Sequence, residues 1–89
     1  MKKTYQTYTK TNPETGEVYS SRTSGYGTPK ENVSRRDKKH HMNDKGFGPA
    51  ALDKSSTNKD AIRGREQQLI DSNGGAKSQR GTSGNAINA

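Results

Sequence analysis

The amino-acid sequence predicts an α+β domain: a small antiparallel sheet, built from an N-terminal hairpin and a short third strand, flanked by two helices. Three observations predict it. Two runs rich in β-branched and aromatic residues, Thr4–Thr9 and Glu17–Thr23, flank a connection holding Pro13 and Gly16. Two helix-start patterns, Thr28–Glu31 and Thr57–Asp60, each precede residues at helical spacing. A segment interrupted by Gly46, Gly48 and Pro49 separates the helices.

The hairpin comes first. Asn12-Pro13-Glu14-Thr15-Gly16 joins its strands, with a proline that pre-sets its own φ and a glycine that can take a positive one. Ser24–Gly27 is a loop. The first helix then starts with Thr28 as N-cap, Pro29 in the first turn and Glu31 three after the cap. Its pattern carries it to about His41, with Val33, Arg36 or Asp37, and His40 on one face. Asn43 to Pro49 ends it. Ala50-Ala51-Leu52 is the candidate third strand. The second helix opens on the capping-box pattern of Thr57-Asn58-Lys59-Asp60 and carries Ile62, Glu66, Leu69 and Ile70 as one stripe. Asn73-Gly74-Gly75 stops it. The domain is therefore expected over residues 1–75, and residues 76–89, rich in Gly, Ser, Asn and Gln, read as a mobile low-complexity tail.

Composition sets the scale. In a chain of 89 residues there is room for one domain with a small core. Only 22% of residues are hydrophobic and the mean hydropathy is −1.38, close to the border of intrinsic disorder. The absence of cysteine removes disulfides, Cys-ligated zinc and thiol nucleophiles together. No apolar run approaches the roughly 18 residues that span a bilayer, and Met1-Lys2-Lys3 is not followed by a signal-peptide core, so the chain reads as soluble and free of membrane. The 16 Lys and Arg outnumber 9 Asp and Glu, for a net charge of +7. That excess favours a polyanion, because each neutralised phosphate releases condensed counterions.

Three groups of residues are candidates for chemistry. Glu66 interrupts the apolar stripe of the second helix, and a carboxylate there needs a cation: an Arg, a Lys or a divalent metal. Four of the five aromatic residues are tyrosines, Tyr5, Tyr8, Tyr19 and Tyr26, and a phenol held near cations can handle a proton in phosphodiester cleavage. Arg35-Arg36 and His40-His41 fall on the expected first helix, where Arg36 and His40, four apart, would act on the same phosphate. Arg22, Arg35, Lys38, Lys39 and His41 are the candidate nucleic-acid contacts.

In order along the chain, Gln6-Thr7-Tyr8, Tyr19-Ser20-Ser21, Arg36 with His40, and Glu66 with Leu69-Ile70 resemble the GIY-YIG nuclease family. Tyr8 and Tyr19 stand 11 residues apart, as in that family, and Thr23 trails the second triplet. The resemblance covers about residues 4 to 73. It implies a metal-dependent endonuclease acting on DNA, with RNA left open as substrate. Tyr8, Tyr19, Arg36, His40 and Glu66 would be catalytic, one tyrosine helping to deprotonate the attacking water, and Glu66 would hold a single Mg²⁺ or Mn²⁺. Asn85 or Asn88 would match a late family asparagine. Gln6 and Ser21 stand where the family has glycine, and Arg35 or Arg22 is an alternative to Arg36.

A short, basic, cysteine-free nuclease is also similar to the C-terminal toxin modules of bacterial polymorphic toxins. That similarity implies delivery into a target cell's cytoplasm as part of a larger secreted toxin, and an immunity protein with an acidic surface as partner. Two rival readings stand beside it. One is an HNH-type nuclease, prompted by His40-His41 and Asn58. The other is a non-catalytic basic nucleic-acid-binding domain, for which Glu66 would have no use.

Overall fold

The computed structural model describes residues 2–89. Its centre is β1 (Thr4–Thr11), paired antiparallel on one side with β2 (Val18–Gly25) and on the other with β3 (Ala51–Ser56). Helices α1 (Pro29–Asp37) and α2 (Lys59–Ser72) complete the expected α+β fold, and the third strand is longer than its apolar residues alone indicate. Among the described residues no helix is long and apolar enough to cross a membrane.

Register decides which helix meets which side chains. Tyr8 pairs with Ser21, Gln6 with Thr23 and Lys10 with Tyr19, so these six share one face. The α1 segment covers that face: Asn32 donates to Gln6 Oε1, and Asp37 is ion-paired with Lys10. The opposite face carries Thr7 and Arg22, and α2 lies under it through Arg65–Asp53–Thr7 and Glu66–Arg22 contacts. Ile62, Leu69 and Ile70 are its buried apolar residues. The small apolar content is thus split over two layers, and on the α1 side it is supplemented by buried polar groups.

Those polar groups all find partners, which is the condition for burying them. Gln6 is bonded to Asn32, Thr4 and Ser55. Lys10 is fully buried, yet its ammonium reaches Asp37 and Asn43 Oδ1 at 2.6 Å. Burial pushes the Asp37 carboxyl up, but hydrogen bonds from Lys10 and the Ala50 N–H outweigh it and hold the group below the usual range.

Local signals fix the element ends. Thr28 and Glu31 form the expected capping box. Asn58, not Thr57, caps α2, accepting from the Asp60 and Ala61 N–H groups at 2.9 and 3.1 Å. The first helix is shorter than predicted: it stops at Asp37, not near His41. His40 turns extended and caps a new 3-10 helix, His41–Lys45, by accepting the Met42 N–H. Arg36 and His40 therefore do not share a helix face.

Residues 76–89 are not a free tail. Composition suggested mobility, but Ala76, Ser83 and Asn85 are buried. Gly84 donates to Val18 O, and Asn85 clamps Ser20 through both its N–H and its C=O, at 2.8 and 2.7 Å. The segment thereby covers the first half of the exposed β2 edge, where unpaired strand groups need partners. Its small residues are what allow the approach: a Cβ on Gly84 would stand 2.8 Å from the Phe47 ring and 3.0 Å from Tyr19 N.

Asn85→Ala is expected to cost about 2–3 kcal/mol in urea unfolding, since two buried backbone groups lose their partners. Removal of residues 76–89 should cost at least as much. An unchanged midpoint for both would mean that the segment is not docked.

Candidate functional site

On the α1 face, Tyr8, Tyr19, His40 and His41 form one aromatic cluster. The His40 ring meets Tyr8 and Tyr19 edge-on, with centroids 5.7 and 5.3 Å away, and stacks on His41 at 4.7 Å. Tyr8 Oη and His40 Nε2 are 2.8 Å apart. Because His40 Nδ1 accepts the Met42 N–H at 3.1 Å, the ring hydrogen sits on Nε2 and is donated to the phenol. The tautomer is thus set by the turn that ended α1.

Both members of this pair are interior. Tyr8 is 0% and His40 2% exposed, whereas Tyr19 is partly exposed and His41 and Arg36 are open to solvent. Burial raises the Tyr8 phenol above its ordinary value, against a Ser21 hydrogen bond and the Arg36 charge. Burial likewise drives His40 down, helped by the charges of Arg36, His41 and Lys10, to about 4. Tyr8 and His40 therefore rest as neutral groups, and the His40 ring packs edge-on against Tyr19. Tyr8, expected as a catalytic phenol, is a core residue whose hydroxyl is already bonded to His40.

Arg36 links this cluster to a cationic groove. Its charge acts on both Tyr8 and His40, and with Thr23, Arg35, Lys38 and Lys39 it lines a groove of about 470 Å³. Four cations and no carboxylate form that lining. Arg35 is held differently. It donates to Asn32 Oδ1 at 2.9 Å and lies over Gly25, where a Cβ would come within 2.4 Å of its guanidinium. Only glycine admits that approach. A second, larger groove of about 850 Å³ runs between α1 and β3; its lining includes the Glu31 carboxylate and the apolar Val33, Pro49, Ala50, Ala51 and Leu52, so it is less uniformly cationic.

Glu66 stands apart from this cluster. It lies on the α2 face, 7% exposed, with Arg22 Nη1 at 2.9 Å from Oε1 and the Arg63 charge nearby. The expectation that it gathers with the two tyrosines and Arg36 is corrected, because α2 packs under the sheet from the side opposite α1. The edge strand β2 lies between the two sets. Burial pushes the Glu66 carboxyl above its usual range, against the pull of Arg22. Its Oε2 accepts no hydrogen bond among the described residues. That oxygen is the one place where Glu66 would hold a Mg²⁺ or Mn²⁺ that keeps most of its waters, against the Arg22 and Arg63 charges beside it, and such an ion would supply Lewis-acid stabilisation of a phosphoryl oxygen. Among the described residues no three His, Asp or Glu side chains converge as a larger ligand set.

The remaining predicted residues are accounted for. Lys38 and Lys39 line the cationic groove, and Arg22 is the partner of Glu66. Asn58 is a helix cap, Asn85 binds the β2 backbone and Asn88 accepts from Gln67. Asn32, Lys10 and Gly25, which position the site, were not picked out from the sequence. The signal for Lys10 was its place in the Gln6, Tyr8, Lys10 alternation on one strand face. Compared with known protein families, with curated proteins and with solved structures, the chain matches none.

The depressed His40 pKa has a consequence for stability. The unfolded ring takes its proton near pH 6.5 and the folded one only near 4, so acid favours the unfolded chain. Stability should be full above about pH 6.5 and fall as pH drops towards 4, by on the order of 3 kcal/mol. Urea unfolding of the wild type and of His40→Gln at pH 7 and pH 4.5 checks this. Equal losses in both would assign the acid sensitivity to other groups.

Proposed function

We propose that this protein binds DNA in the groove beside α1 and hydrolyses its phosphodiester bonds, as a divalent-metal-dependent endonuclease. The observation that carries this reading is the four-cation groove, free of carboxylates, whose Arg36 charge also reaches Tyr8 and His40 of the aromatic cluster. A phosphate entering there meets Arg35, Arg36, Lys38 and Lys39. Arg36, closest to the aromatic cluster, offsets the charge that develops on the phosphorane. Tyr19 is the phenol left to handle a proton, since Tyr8 is buried and bonded to His40. His40 packs against Tyr19, and Glu66, on the opposite face of the sheet from Tyr19 and Arg36, would carry the Mg²⁺ or Mn²⁺ there.

The GIY-YIG resemblance supports the same reading, with its order of Tyr8, Tyr19, Arg36 and Glu66 along the chain. By the further similarity to polymorphic-toxin modules, the setting is the toxic effector domain of an interbacterial toxin. Its natural partner there is an immunity protein with an acidic surface, which the net charge of +7 would attract. RNA, which offers the same phosphates, is left open as the alternative substrate.

One observation favours a second reading, a basic nucleic-acid binder without catalysis. The Arg22 ion pair already gives Glu66 a cation, so the carboxylate is explained without metal.

Plasmid DNA and RNA incubated with the protein, with and without Mg²⁺ or Mn²⁺, separate the two. Metal-dependent cleavage is expected, reduced about 10²–10⁴-fold by Tyr19→Phe, Arg36→Ala or Glu66→Gln. Tyr8→Phe should retain most of the cleavage and cost about 1–3 kcal/mol in stability, because it leaves the His40 Nε2–H unpaired. Salt-sensitive binding with no cleavage by the wild type would establish the second reading. Full loss in Tyr8→Phe at unchanged stability would exchange the roles of the two tyrosines.

A further inference from the structure

The two faces of the sheet meet at the part of the β2 edge that the C-terminal segment leaves open. β2 is an outer strand, and its outward backbone groups alternate. Gly84 takes the Val18 carbonyl, and Asn85 takes both the N–H and the C=O of Ser20. The next outward residues are Arg22 and Ser24, whose N–H groups have no partner from outside the sheet among the described residues.

Cations flank this open stretch on both sides. Towards α1 lies the groove of Arg35, Arg36, Lys38 and Lys39, with Thr23 at its wall. Towards α2 lies a smaller groove of about 220 Å³, lined by Lys3, Tyr5, Arg22, Thr23, Ser24 and Lys59. Thr23 lines both grooves, so they flank the same stretch of the strand. The second groove also has no carboxylate in its lining, and neither Lys3 nor Lys59 is ion-paired among the described residues. Arg22, by contrast, is already committed to Glu66.

We infer that the nucleic acid crosses the open half of the β2 edge, with Lys3 and Lys59 making a second set of phosphate contacts on the α2 face. The inference rests on the reading of this protein as a nucleic-acid binder and deepens it by assigning the path of the bound strand. A backbone on that path passes the Arg22 and Ser24 amides, which can donate to phosphate oxygens. It also runs from the Arg36 side of the sheet towards the Arg22 side, so one bound strand meets cations of both faces. Tyr5, with Lys3 Nζ 5.7 Å from its ring centroid, offers an apolar wall beside the second groove.

The test is the salt dependence of binding to a fluorescently labelled DNA oligonucleotide, measured by anisotropy with full-length protein. Lys3→Gln/Lys59→Gln is compared with Lys45→Gln/Lys77→Gln, which removes the same charge elsewhere: Lys45 lies next to the hairpin turn through Asn12, and Lys77 pairs with Glu17. The slope of log Kobs against log salt is expected to fall by about 1.4–1.8 for the first pair, at about 0.7–0.9 per phosphate contact, and by less than about 0.5 for the second. In cleavage, the first pair should raise KM and leave kcat unchanged. Equal slopes for the two pairs, or an unchanged slope for Lys3→Gln/Lys59→Gln, would overturn the inference while the α1 groove stands. No salt-dependent binding by the wild type would overturn both the inference and the proposed function, whereas binding without cleavage would overturn only the latter.

Discussion

Everything on the α1 side of this fold depends on the need to pair polar side chains that β1 carries into the interior. Gln6, Tyr8 and Lys10 alternate on one face of the central strand, and none of them is exposed. An unpaired ammonium in that position would cost several kcal/mol, so Asp37 and Asn43 must sit over Lys10. Asn32 must likewise sit over Gln6, and His40 over Tyr8. These three demands, spaced along a single strand, set where α1 lies, where it ends and how the chain turns afterwards. A core of this kind specifies one arrangement more sharply than a few apolar contacts would, because each hydrogen bond has one acceptable geometry.

That arrangement leaves the cations of α1 facing outward. Arg35 is tied to Asn32 and rests against Gly25, while Arg36, Lys38 and Lys39 extend along the same groove. Interior pairing and exterior charge are thus two sides of one segment. The sole acid on the interior side of its last turn, Asp37, is neutralised by Lys10 and does not weaken the field of the groove. The docking of residues 83–85 on β2 has a matching effect, since it closes half of the strand edge and leaves the other half flanked by cations.

Much of the fold was legible in the sequence. The hairpin, both helices, the Thr28 capping box and the stop at Asn73 follow from local chemistry, in which neighbouring residues decide the outcome. What was not legible depends on distant residues. The helical pattern runs on to His41, but the helix ends where Asp37 pairs with Lys10, 27 positions away in sequence, and where His40 N–H and the Asn43 amide take the Asp37 carbonyl. The last residues read as mobile because Gly and Ser lack bulk, although close packing against Phe47 and Ser20 is what requires that lack of bulk. Glu66 was recognised as a carboxylate in need of a partner. Its partner, Arg22, could be found only once the register put both on the face away from Tyr8.

The most direct test is an NMR titration of the isotopically labelled protein with a short DNA oligonucleotide, following backbone amides. The account predicts that the largest shifts fall on Arg22 to Ser24 and on Arg35 to Lys39, with Tyr8 and Lys10 little affected. Shifts concentrated instead on Val33, Ala51 and Leu52, in the groove between α1 and β3, would contradict it.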